Sequence, residues 1–177
     1  MKLLVIDIQK GITDSRLFNF EAFIDDTIRI IKAARDNQIE VIYFQHDDGP
    51  GTGFSIRDED FEIAEQVIPK EGEKIFIKNI NSCFGNKDFT DYVKDDNTLM
   101  IVGLQTNFCI DATVKSAFER GYKVIVPQGA NSTFDNDYMT GEETYKYYND
   151  MMWPKRFATC VSVDEAIKLM ESSIGIY

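Results

Sequence analysis

The chain has 177 residues, a formal net charge of −11, 44% hydrophobic and 28% charged residues, the profile of a globular domain long enough to bury a core without staples. That length predicts one domain over residues 1–177. The acidic balance argues against a nucleic-acid backbone or an anionic membrane surface as partner, since both need a basic face, and no apolar run approaches the length of a membrane span.

Leu3–Ile6 is a short, branched, nearly continuous apolar run, the pattern of a strand buried on both faces. Phe20, Phe23, Ile24, Thr27, Ile31 and Ala34 recur at helical spacing and predict a helix that ends near Asn37. Val41–Phe44 predicts a second strand, and the glycine-rich Asp48–Gly53 a long loop within the domain. Ile75–Ile77 predicts a third strand, Phe89–Val93 a short helix and Leu99–Val102 a fourth strand. A helix follows over Cys109–Arg120, stopped by Gly121. Val124–Val126 is the fifth strand, Thr140–Met152 a helix, Thr159–Val161 a short sixth strand and Asp164–Met170 the last helix. This alternation, without repeat or linker, predicts an α/β fold in three αβα layers, with helices on both faces of a parallel sheet.

The first strand starts at the N-terminus with no leader before it, so no signal peptide is expected. Cys83, Cys109 and Cys160 are odd in number and widely spaced. They suggest no disulfide framework and fit a reduced, cytoplasmic setting.

Asp7 closes the first strand, and in wound parallel sheets ligands bind at that end of the strands. It is either a proton acceptor of raised pKa or a cap for nearby backbone amides. Lys78 ends the third strand. It is either the first solvated residue or a cation that favours a thiolate. Cys109 stands at a strand–turn–helix junction, where free N–H groups would favour a thiolate and hold an oxyanion. Its other reading is a small buried hydrophobe. With Lys78 beside it, the thiol is expected to fall from about 8.5 toward 6 or 7 and to be the fast-alkylating cysteine, with Asp7 opposing. His46 is the only histidine, either lining a pocket or a bystander. It leaves no His-rich metal constellation. Asp47 and Asp48 read as solvated loop acids or ligands of a hard cation. No G-x-S-x-G elbow, phosphate loop or G-x-G-x-x-G fingerprint occurs.

Three separated segments, in order, resemble the isochorismatase-like cysteine hydrolases. They are Asp7-Ile8-Gln9-Lys10-Gly11, Lys78-Asn79-Ile80-Asn81-Ser82-Cys83-Phe84, and Gly103-Leu104-Gln105-Thr106-Asn107-Phe108-Cys109-Ile110-Asp111-Ala112-Thr113; Ser132-Thr133-Phe134-Asp135 also fits. The resemblance implies a Rossmann-like, six-stranded parallel sheet and a triad of Cys109 as nucleophile, Asp7 as base and Lys78 as the cation that orients them. It also implies a cis peptide at Leu104–Gln105, which would aim the Gln105 N–H, with that of Cys109, at an oxyanion. Homodimers or homotetramers are common in the family. Its nicotinamidases carry an Asp/His metal cluster that a single histidine does not supply, so neither metal nor cofactor is expected.

The activity this implies is hydrolysis of a C–N bond in a small amide or carbamoyl compound through a thioester. Gln9, His46, Phe84 and Thr106 are the expected pocket walls. The rival within the family is isochorismatase-type vinyl ether hydrolysis. The rival outside it is a flavodoxin-like binding or redox-sensing domain, which the spatial convergence of Asp7, Lys78 and Cys109 would tell apart.

Overall fold

A computed structural model describes residues 1–172 of the chain. The strands are β1 (Lys2–Ile6), β2 (Glu40–His46), β3 (Lys74–Lys78), β4 (Thr98–Leu104), β5 (Lys123–Pro127), β6 (Asn131–Ser132) and β7 (Thr159–Val161). The helices are α1 (Phe20–Asp36), α2 (Lys87–Val93), α3 (Asp111–Glu119), α4 (Gly141–Lys146) and α5 (Val163–Ser172). Six strands run in the order β3-β2-β1-β4-β5-β7, and every pairing is parallel. A seventh, β6, pairs with the carboxyl end of β4. Six strands match the predicted runs. β6 carries only Asn131 and Ser132, so no hydrophobic pattern marks it.

The continuous apolar run of β1 follows from burial on both faces. Leu3 and Val5 pack with Phe23, Ile30 and Ala34 of α1 and with Ala166 and Met170 of α5. Leu4 and Ile6 point the other way, toward Phe89 and Val93 of α2 and Val114 and Ala117 of α3. Each such side chain contributes on the order of 2 kcal/mol by leaving water. α1 ends where predicted, with the Asn37 amide donating back to the Ala33 carbonyl at 2.8 Å. The Thr140–Met152 pattern opens on a capping box, Thr140 with Glu143, and widens into a π-helical turn over Tyr147–Met152. Among the described residues no helix is long and apolar enough to cross a membrane.

The chain builds outward from β1 to β2 and β3, then returns to place β4 on the other side of β1. That reversal opens a crevice past the carboxyl ends of β1 and β4. Gly103 lets the two strands meet there. Its φ is +124°, and a Cβ would lie 2.1 Å from the Ile6 carbonyl oxygen, a contact no side chain tolerates. Gly103→Ala is therefore expected to cost about 3 kcal/mol or more, read as a lower urea midpoint. An unchanged midpoint would show that the close approach is not needed.

Candidate active site

Asp7 lies one residue past β1, at φ +51°, a left-handed conformation that aspartate tolerates better than most residues. Its N–H stays tied to the sheet through the Phe44 carbonyl at 3.1 Å. Lys78 ends β3 in register with His46 at the end of β2, so both side chains rise at one point of the sheet. Cys109 sits inside a π-helical turn, Thr106–Ile110, that leads from β4 into α3. The predicted helix start at Cys109 is thus three residues late. The Phe108 and Ile110 N–H groups both donate to the Gln105 carbonyl, at 3.1 and 3.2 Å, which widens the first turn. Below it, the Thr106 hydroxyl donates to Asn131 Oδ1 at 2.7 Å, and Asn131 and Asn149 exchange amide bonds at 2.9 and 3.0 Å. This buried polar network holds the turn.

The three side chains converge. Lys78 Nζ donates to Asp7 Oδ2 at 2.7 Å, to the Ile80 carbonyl at 3.2 Å and toward Cys109 Sγ at 3.3 Å, and lies 3.1 Å from His46 Nδ1. The Cys109 thiol also faces Asn81 Oδ1 at 3.8 Å. Asp7, Lys78 and Cys109 are all buried. Burial pushes the Asp7 carboxyl above the usual carboxylate range, against the pull of the Lys78 charge. The Lys78 ammonium is held above its ordinary value: burial lowers it, but Asp7 and the neighbouring thiols outweigh that.

The thiol corrects a sequence expectation. Burial first, and the Asp7 charge second, push Cys109 up to about 12, and Lys78 does not offset them. The resting group is a thiol, and its deprotonation needs an acceptor at hand. Cys160 is pushed up to about 12 as well, by burial, and fully buried Cys83 higher still. Alkylation of Cys109 by iodoacetamide is therefore expected to keep rising from pH 6 to 9. A plateau near pH 7 in peptide-mapped labelling would show a preformed thiolate instead.

A cleft of about 280 Å³ opens onto Asp7 and Cys109. His46 lines it, as do Ile12, Phe54 and Phe108. His46 Nε2 lies 3.1 Å from Asp48 Oδ1, which makes Asp48 part of the same wall. The other expected walls are corrected. Gln9 is wholly buried; its amide donates to the His46 and Phe61 carbonyls at 3.1 and 2.9 Å and accepts the His46 N–H at 2.7 Å. It braces the wall from behind. Phe84 packs into the aromatic layer with Phe89 and Tyr122, and Thr106 is wholly buried below the turn. Asn81, Leu104 and Gln105 complete the lining, and the Leu104–Gln105 peptide is cis.

Asp7, His46 and Cys109 bring one ligand atom each within 4.8 Å of one another, a spacing that suits a metal ion. The Lys78 ammonium, however, contacts all three. A cation already occupies the centre of the donor set, and a second would meet its charge.

A family model described as the isochorismatase domain matches residues 2–165. The chain is 27% identical over 175 residues to an uncharacterized isochorismatase family protein, YrdC, of Bacillus subtilis (strain 168), covering 93% of each. It is 26% identical over 142 residues to a streptothricin hydrolase of Streptomyces noursei, covering 75% of this chain and 54% of that one. In fold it is similar to a cysteine hydrolase from Pseudomonas syringae pv. phaseolicola 1448A, with a TM-score of 0.87 and 23% identity over 97% of this chain and 92% of that one.

Proposed function

This chain belongs to the isochorismatase family, and from that premise we propose that it is a cysteine hydrolase cleaving a C–N bond of a small amide or carbamoyl compound through a thioester. One observation carries the reading: the Lys78 ammonium bridges the Asp7 carboxylate at 2.7 Å and Cys109 Sγ at 3.3 Å in a buried corner of an open cleft.

A thiol held near 12 attacks only if its proton leaves as the new bond forms. Asp7 is the acceptor, because burial makes it a stronger base than a solvated carboxylate. Lys78 keeps the charge of the pair balanced while the proton moves. Sulfur bonds to the carbonyl carbon, and the oxygen takes the negative charge, held by the Gln105 and Cys109 N–H groups. The C–N bond then breaks, the leaving nitrogen takes the proton from Asp7, and the acyl group stays on Cys109. Asp7 next accepts a proton from water, which attacks the thioester and releases the acid, and the thiol regains its hydrogen.

Intact-mass spectrometry on acid-quenched reactions with a panel of small primary amides tests this. The expected adduct on the Cys109 peptide equals the acyl fragment of the consumed amide, and a chelator leaves turnover unchanged. Amide consumed with Cys109 never acylated sinks the thioester route. Chelator-sensitive turnover restored by one metal sinks the assignment of Lys78 as the site's cation.

A further inference from the structure

The cleft has a charge pattern of its own. Among the described residues that line it there is no lysine or arginine. Lys78, the cation that contacts Asp7 and Cys109, lies 3% exposed beneath the floor and is committed to Asp7. The carboxylate of Asp48 stands at the wall, 53% exposed, with one oxygen facing His46. Its N–H donates to the Phe54 carbonyl at 3.0 Å, which fixes Phe54 on the same side. Phe108, 51% exposed, lines the cleft as well. One carboxylate and two aromatic side chains make a receptor for an ammonium, by Coulomb attraction and by the ring faces. An incoming carboxylate would find the Asp48 charge and, among the described lining residues, no lysine or arginine to pair with.

We infer that this cleft selects amides bearing a positively charged amine at the end remote from the scissile carbonyl, seated by Asp48, Phe54 and Phe108, and that it rejects carboxylated ones. This rests on the amide-hydrolase reading above and adds the substrate's charge to it. The net charge of −11 works in the same direction, concentrating cations near the surface.

Three primary amides of similar length separate the cases: β-alaninamide (cationic), butyramide (neutral) and succinamate (anionic). Ammonia release should give a kcat/KM at least about tenfold higher for β-alaninamide than for succinamate, with butyramide between. In Asp48→Asn the ratio of β-alaninamide to butyramide should fall about fivefold, whatever the variant does to both rates together. A second arm needs no turnover: saturation-transfer NMR should show n-butylammonium bound in preference to butyrate, with the preference lost in Asp48→Asn. Turnover with equal or anion-favouring rates would overturn the inference and leave the amidase reading standing. No turnover of any amide, with butylammonium still preferred, would overturn the amidase reading and support the charge selection. A cation preference that survives Asp48→Asn overturns the assignment to Asp48.

Discussion

Replacing Cys109 with alanine should lower kcat by about 10⁴-fold or more while the melting temperature moves by only a few degrees. The first effect follows from the lack of a second thiol among the described residues of the cleft: Cys83 is wholly buried, and Cys160 lies on β7, outside the lining residues. The second follows from what alanine removes. One sulfur atom leaves a site that already opens on the cleft, so the transfer and cavity costs come to about 1 kcal/mol, or roughly 2–4 °C for a chain of this size. Asp7 and Lys78 keep each other as partners in the variant, so no buried charge is stranded. Substrate affinity should therefore survive, and equilibrium binding of an unreacted amide separates lost chemistry from lost structure. Turnover within tenfold of the wild type would refute the nucleophile, and a melting point depressed by 10 °C would assign Cys109 to the core instead.

The parts of the fold and site that were legible in the sequence share a cause. The inner strands β2, β1, β4 and β5 are read from apolar runs because a sheet covered on both faces needs them, and Leu3, Leu4, Val5 and Ile6 serve alternate layers; the edge strand β3 carries an apolar run although Ile75 and Ile77 stay exposed. Asp7 and Lys78 stand out because a charged residue ending such a run lies at the carboxyl edge of the sheet, outside its apolar layers. β6 was illegible because its two residues, Asn131 and Ser132, pair through backbone alone and face a polar network. The cleft walls were half legible. Gln9 lies three residues past β1, a position that suggests a wall, yet its side chain turns back to brace His46. Phe54 and Phe108 reach the cleft only through the folding of a glycine-rich loop and a π turn, which local pattern does not encode. The Cys109 thiol departs from the expectation for a further reason. A helix start and a lysine are visible in sequence, but the desolvation that outweighs them depends on burial in the folded chain.

Lys78→Met should lower stability by about 2–4 kcal/mol near pH 8, and by much less at pH 5. Methionine fills the buried path of the lysine stem, so packing is roughly kept, and the loss is electrostatic. The Lys78 side chain is wholly buried and Asp7 nearly so, and removing the ammonium leaves a buried carboxylate alone. Asp7 escapes the full penalty by keeping its proton. With the folded pKa raised above the ordinary 3.8, and further in the variant, protonation stabilises the fold fully below that ordinary value. The contribution is lost as pH rises through the folded value. The deficit of the variant should therefore open between acid and neutral pH. At the alkaline end the wild type converges on it. Lys78 is raised above its ordinary 10.5, so its contribution is complete below about that pH and disappears as pH climbs through the folded value. Urea midpoints at pH 5, 8 and 11 for both proteins measure the window. A deficit of the same size at all three would show that Lys78 holds the fold by its stem and not by its charge. The same variant should turn over amides at least about 100-fold more slowly, because an Asp7 that keeps its proton no longer accepts one from Cys109.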